Sequence, residues 1–183
     1  MITLSKLDPR APLVLDTREL GRRPGSQRQV SRSVPAPADL GIEVLRVPEG
    51  SQVDLDLRLE AVMEGVLVTG TARAALEGEC ARCLGPIHDE IEVELQELFV
   101  YDDRDHDPDE DDEVSTLQDD LLDLEPLLRD AVVLALPFQP LCEEDCPGLC
   151  VQCGARLADD PGHAHEAAID PRWAALTELA RDE

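Results

Sequence analysis

Four cysteines within twelve residues, Cys142-x3-Cys146-x3-Cys150-x2-Cys153, constrain this chain more than any other feature. The last pair is followed by Gly154. A two-residue gap lets both sulfurs reach one ion from a tight turn, and glycine lets the backbone fold beneath it. The segment therefore reads as zinc-knuckle-like. An earlier pair, Cys80-Ala81-Arg82-Cys83, is simpler. The N-terminus, Met1-Ile2-Thr3-Leu4-Ser5-Lys6, lacks the apolar run of a secretory signal, and no stretch has the length of a membrane helix. A cytoplasmic protein with reduced thiols is expected, and metal binding is favoured over a disulfide framework.

Zinc takes four ligands, and residues 142–165 offer six: Cys142, Cys146, Cys150, Cys153, His163 and His165. The local solution uses Cys142, Cys146, Cys150 and Cys153 to hold one structural zinc. The alternative joins Cys150 and Cys153 to two of Cys142, Cys146, His163 and His165. A closed four-thiolate site leaves no position for a metal-bound water, so hydrolysis would lack its nucleophile. Cys80 and Cys83 admit three readings: reduced structural thiols at a strand turn, a metal half-site completed by other thiols, or a redox pair. The last lacks the helix N-terminus that lowers a thiol pKa in redox folds.

Charge narrows the partners. Of the formal net charge of -25, residues 1–50 contribute +2 (eight basic, six acidic side chains) and residues 51–183 contribute -27 (eight against thirty-five). An acidic body repels nucleic acid over most of its surface and favours a basic protein partner. Four aromatics, Phe99, Tyr101, Phe138 and Trp173, are too few for a base-stacking platform. Arg18, Arg22, Arg23, Arg28 and Arg32, around Pro24-Gly25-Ser26, read as a loop with a positive face, the one place for limited or indirect RNA contact. No Gly-x-Ser-x-Gly, phosphate loop or dinucleotide fingerprint occurs, and a non-enzymatic protein is expected.

Periodicity gives the fold class. Leu13 to Leu15 and Gly41 to Val47 read as strands. Val53, Leu55, Leu57 and Leu59 alternate with charged residues, as do Ile91, Val93 and Leu95. Gly65 to Leu76 is a further strand in which Gly70 marks a bulge or bend. Residues 102–113 hold nine acids and read as a mobile loop, a solubilising linker, a docking tail or a weak cation site. Leu121, Leu124, Leu128, Ala131 and Ala135 have helical spacing, with Asp123 as cap, Pro126 in the first turn and Pro137 as stop. The apolar run 131–136 predicts burial on more than one side. Asp170-Pro171 opens a last helix with Trp173, Leu176 and Ala180 on its stripe. The expectation is an α+β fold, an antiparallel and partly barrel-like sheet covered by helices, with a C-terminal Cys-rich segment. Residues 1–141 form the β-rich core, with an acidic loop at 102–119 and a covering helix at 120–136. Residues 142–183 form the Cys/His-rich metal segment and C-terminal helix.

Three motifs together resemble the YceD family of large ribosomal RNA subunit accumulation proteins. They are Glu79-Cys80-Ala81-Arg82-Cys83-Leu84, the run from Leu136-Pro137 through Cys153-Gly154, and Asp170-Pro171-Arg172-Trp173. Where many members end the cluster with Cys-x-Cys, this chain has His163-Ala164-His165, which keeps ligand chemistry. Some members lack the second cluster, so by this resemblance zinc is dispensable for the shared role. The resemblance implies ribosome biogenesis through accumulation of large-subunit ribosomal RNA. Read with the charge, it points to a factor binding a basic ribosomal or RNA-processing protein. A metal-dependent RNA-processing hydrolase is the alternative.

Overall fold

The structure is a computed structural model that describes residues 6–101 and 115–165. The acidic block 102–113 and the helix expected from Asp170-Pro171 onward lie outside the described residues. Strands dominate: β1 Val14–Asp16, β2 Gln27–Pro35, β3 Gly41–Ile42, β4 Leu45–Arg46, β5 Gln52–Ala61, β6 Gly65–Glu79, β7 Pro86–Val100 and β8 Leu121–Asp123. One helix, α1 Glu125–Ala135, completes the described elements.

β6 organises the main sheet. Along one edge it pairs antiparallel with β5 and then, at Glu77 and Gly78, with β4. Along the other it pairs with β7 over its whole length. β2 closes the far side of β5, and β3 that of β4. Alternation explains the core: Val53, Leu55, Leu57, Leu59 and Ala61 of β5 are buried between charged neighbours that face water. Val66, Val68, Ala72, Ala74 and Leu76 of β6 and Val93, Leu95 and Phe99 of β7 join the same core. Each large side chain so buried contributes roughly 1.5–3 kcal/mol. Gly70 does not make a bulge, because the ladder runs unbroken through Leu57↔Gly70 and Gly70↔Leu95. Its φ is +153°, and a Cβ there would overlap the Asp56 carbonyl oxygen, so glycine admits a close backbone approach.

Several expectations are corrected. The fold is mostly β, not α+β, and its sheet is open: among the described residues the strand order β2-β5-β6-β4-β3, with β7 on β6, has no pairing that joins its ends. A barrel requires every edge to be paired. Among the described residues helices do not cover it; there a single helix of eleven residues lies against β7 and β3. The predicted helix at 120–136 starts later, because residues 121–123 pair with β1. Asp123 Oδ1 accepts the Glu125 amide at 2.9 Å, and Pro126 occupies the first turn. Burial on more than one side is also corrected. Leu124, Leu128, Val132 and Leu136 form one buried stripe, while Leu134 and Phe138 are exposed.

Gly41 to Val47 is not one strand but the tight hairpin β3–β4, which reverses so that Leu40, Leu45 and Val47 all reach the core. The arginine-rich stretch is not wholly a loop, since residues 27–35 form β2. Register sets Arg28, Val30, Arg32 and Val34 opposite Leu59, Leu57, Leu55 and Val53; Val34 is buried, Val30 and Arg32 are half-buried, and Arg28 is exposed. The half-buried Arg32 stem covers apolar surface while its head reaches polar partners.

Candidate metal centre

The β6–β7 connection is a six-residue turn, Cys80 to Gly85, closed by Cys80 N–H to the Gly85 carbonyl at 2.8 Å and Leu84 N–H to the Cys80 carbonyl at 2.9 Å. It sets the sulfurs of Cys80 and Cys83 on one side. The segment after α1 crosses beneath this turn. Ala81 donates its amide to the Pro140 carbonyl at 2.8 Å, and Arg82 Nη1 donates to the Cys146 carbonyl at 3.1 Å and the Glu144 carbonyl at 3.4 Å. Gly148 packs on the Arg82 backbone with φ +79°. Cys142 and Cys146 are thereby delivered to Cys80 and Cys83, and the four sulfurs lie within 4.8 Å of one another. Cys80, Cys83 and Cys146 are buried and Cys142 is exposed.

Distances decide what this inner cluster can hold. Cys80 Sγ is 3.8 Å from Cys146 Sγ, and Cys83 Sγ is 3.7 Å from Cys142 Sγ. A disulfide needs about 2.05 Å. A tetrahedral ion with metal–sulfur bonds of about 2.3 Å sets its sulfurs about 3.8 Å apart. The observed separations match the tetrahedron, and all six cysteines are free.

Protonation follows the same logic. Burial pushes the Cys80 thiol up, but the backbone amides of Cys142, Cys83 and Arg82 outweigh it and bring it down to about 6. The Arg156 guanidinium lowers Cys83. Cys142 is pushed up to about 12, chiefly by its neighbour Cys146, and burial raises Cys146. Four clustered thiols cannot all ionise without a cation to take the charge.

The outer cluster is built from one stretch. Cys150 N–H donates to the Ala155 carbonyl and Gly154 N–H to the Cys150 carbonyl, each at 2.8 Å. Gly154 has φ +74°, the left-handed turn its glycine permits. This knuckle presents Cys150 and Cys153 to His163 and His165, again with all ligand atoms within 4.8 Å. Cys153 Sγ lies 3.2 Å from His163 Nε2 and 3.3 Å from His165 Nε2, and the two Nε2 atoms are 2.9 Å apart. A mixed tetrahedron calls for about 3.5 Å and about 3.3 Å, so this group is contracted by a few tenths of an ångström. Asp160 Oδ2 stands 3.7 Å from His163 Nδ1, near the imidazole but beyond hydrogen-bond distance. The amides of Gln152 and Cys153 bring Cys150 down to about 6.

Cys142, Cys146, Cys150 and Cys153 thus do not meet at one point. They divide two and two, the first pair completed by Cys80 and Cys83 and the second by His163 and His165. The signal in the sequence is a count: six cysteines and this histidine pair are eight donors, enough for two tetrahedra. Either cluster can hold a metal ion.

The arginines expected to face RNA are largely engaged within the chain. Arg18 chelates the Asp16 carboxylate. Arg22 pairs with Asp120 at 3.2 Å and lies 4.6 Å over the Tyr101 ring. Arg28 pairs with Glu19 at 3.2 Å and reaches the Asp16 carbonyl. Arg32 donates to the Pro12 and Val14 carbonyls. Arg23 is exposed. No helix among the described residues is long and apolar enough to cross a membrane.

Comparison with known proteins gives the chain relatives. The family described as "Large ribosomal RNA subunit accumulation protein YceD" matches residues 68–180, a span that includes both clusters. An uncharacterized protein of Mycobacterium tuberculosis is 51% identical over 92% of this chain and 82% of its own length. One from Mycobacterium leprae is 44% identical over 92% of this chain and 78% of its own. Uncharacterized protein YlbN of Bacillus subtilis is 31% identical over 57% of this chain and 60% of its own. No solved structure matches the chain significantly.

Proposed function

This chain belongs to the YceD family of large ribosomal RNA subunit accumulation proteins, and on that premise we propose that it is a non-enzymatic ribosome-biogenesis factor whose last third is held by two structural zinc ions. The observation that carries the reading is the pairing of eight donors into two groups of four. Thiolate and imidazole donors suit zinc, which is content with a tetrahedron. Four protein ligands at each site leave no position for an activated water, which a metal-dependent RNA hydrolase would need.

The partner is a basic ribosomal or RNA-processing protein. Support comes from the solvent face of the sheet, where Asp54, Asp56, Glu77, Glu90 and Glu94 are exposed and Glu92 pairs with Arg73. Complementary charge steers a basic partner toward such a face and repels phosphate. Direct RNA contact is the lesser part of this reading, because Arg18, Arg22, Arg28 and Arg32 already have partners inside the chain.

A pull-down from cells, with and without nuclease and read by mass spectrometry, tests the proposal. Basic ribosomal or processing proteins should remain after nuclease treatment. Submicromolar binding to naked large-subunit RNA with a steep salt slope would contradict it. Cleavage of precursor ribosomal RNA by pure, metal-replete protein would establish the hydrolase instead.

A further inference from the structure

Arg156 belongs to the outer knuckle in the chain and to the inner cluster in space. Its backbone forms the bridge with Leu149, and the next residue, Leu157, donates its amide to the Gly148 carbonyl at 3.0 Å. Its side chain leaves the knuckle and places Nη2 3.4 Å from Cys83 Sγ. The guanidinium rests on Gly85, the last residue of the β6–β7 turn, where any Cβ would overlap Nη2. A glycine seat and a thiolate acceptor therefore receive the same group.

The two clusters differ in charge and in support. Four thiolates around a divalent ion leave a net charge of about -2, whereas two thiolates and two neutral imidazoles leave about zero. The inner cluster is set into the core through Cys80, Cys83 and Cys146. None of residues 150–165 is buried. What holds the knuckle in shape is a few backbone bonds, those at Leu149 and Gly148 among them, and the convergence of its four donors, so the placement of Arg156 depends in part on that convergence.

We propose that Arg156 is a positioning residue that couples the two clusters: an ion in the outer group fixes Arg156 against Cys83, offsets the inner cluster's negative charge and slows loss of the inner ion. This rests on the metal reading of both clusters. The coupling is reciprocal, so an ion in the inner group also favours occupancy of the outer one. Outer-shell donors of this sort change metal affinity by about 10–100-fold.

Cobalt(II) titration of the stripped full chain reports the two sites separately, since four-sulfur and two-sulfur, two-nitrogen sets give different absorption bands. Zinc release to a chromogenic chelator then gives a rate for each. Arg156→Ala should keep two ions per chain and speed release from the inner site roughly tenfold, with Arg156→Lys intermediate. Gly85→Ala, which displaces the guanidinium but keeps its charge, should match Arg156→Ala. His163→Ala with His165→Ala should lose the outer ion and give the same fast inner release, and adding Arg156→Ala to that pair should change nothing more. An unchanged inner rate in Arg156→Ala, or an Arg156→Ala effect that multiplies that of the histidine pair, overturns the coupling. Fewer than two cobalt ions bound by the wild type would instead overturn the metal reading itself.

Discussion

Cys80 and Cys146 are 66 positions apart in the chain and their sulfurs are 3.8 Å apart. That one relationship ties the last turn of the main sheet to the segment beyond α1. It makes the metal stoichiometry a sharp test. Elemental analysis of protein purified without added metal should give about two zinc ions per chain. Cys80→Ser with Cys83→Ser should remove one, and Cys150→Ser with Cys153→Ser should remove the other. A single site made of Cys142, Cys146, Cys150 and Cys153 predicts otherwise, because changing Cys80 and Cys83 would then leave the metal content untouched.

Loss of the inner ion should act locally. Strands β5 and β6 hold their register through nine paired positions, and Leu57, Leu59, Val66 and Val68 lie toward the end of β6 away from Cys80. The amide of Ala81, bonded to the Pro140 carbonyl, spans the two segments that the cluster joins. Hydrogen exchange after chelation should therefore show Ala81 exchanging at least tenfold faster while Leu57 and Val68 keep their protection. Equal loss of protection at all three would mean that the ion supports the whole sheet.

Much of this was legible in the sequence, and the exceptions have physical reasons. β5 and the first part of β7 are plain because buried aliphatic residues alternate with charged exposed ones, whereas the outward side of β6 carries Leu67, Thr69, Thr71 and Ala75 and alternates less cleanly. β2 does not read as an apolar alternation because the positions opposite Leu59 and Leu55 are Arg28, which is exposed, and Arg32, which is half-buried. The start of α1 is blurred because Leu121 fits the helical spacing yet lies in β8, paired with Asp16 of β1. The donors group in space otherwise than along the chain, because Cys146 and Cys150 are close in sequence while the chain between them turns through Gly148 and parts them. Nearness along the chain favoured the local solution; the unassigned pair Cys80 and Cys83 was the clue against it.

Gly70 gives a test of the sheet. A methyl group there would meet the Asp56 carbonyl oxygen in the middle of the β5–β6 ladder, at a φ that side-chain-bearing residues rarely adopt. Gly70→Ala should destabilise the protein by about 1–3 kcal/mol in denaturant unfolding, the usual range for forced overpacking. A change below a few tenths would show that β5 moves aside freely.

Asp16 sets a small pH dependence. Hydrogen bonds from the Arg18 side chain, and then from its backbone amide, lower its carboxyl from 3.8 to about 2. A carboxylate lowered in the folded state contributes stability that is complete above the unfolded value and lost as pH falls toward the folded one. Asp16→Asn should thus lower stability at pH 7 by less than about 1 kcal/mol, because the pair is exposed to solvent. The gap between variant and wild type should close between pH 4 and about 2. Urea midpoints at both ends of that window measure it, and a gap that persists at the acid end would assign the effect to something other than ionisation.

Arg32 separates a structural role from an RNA role. Its stem lies on the core face opposite Leu55, and its head joins β2 to the Pro12 and Val14 carbonyls of the chain around β1. Arg23 is exposed in the preceding turn. If the arginines serve mainly to bind phosphate, alanine at either position should weaken RNA binding alike and leave stability unchanged. The geometry predicts a split: Arg32→Ala should cost about 1–3 kcal/mol through lost packing and unpaired carbonyls, while Arg23→Ala should leave the thermal midpoint where it was. Binding to naked large-subunit RNA should be weak for the wild type and lowered further, if at all, by Arg23→Ala rather than by Arg32→Ala. Thermal unfolding and a salt series of RNA binding curves on the two variants decide between these roles, and a stable Arg32→Ala protein with impaired RNA binding would return the arginines to the RNA.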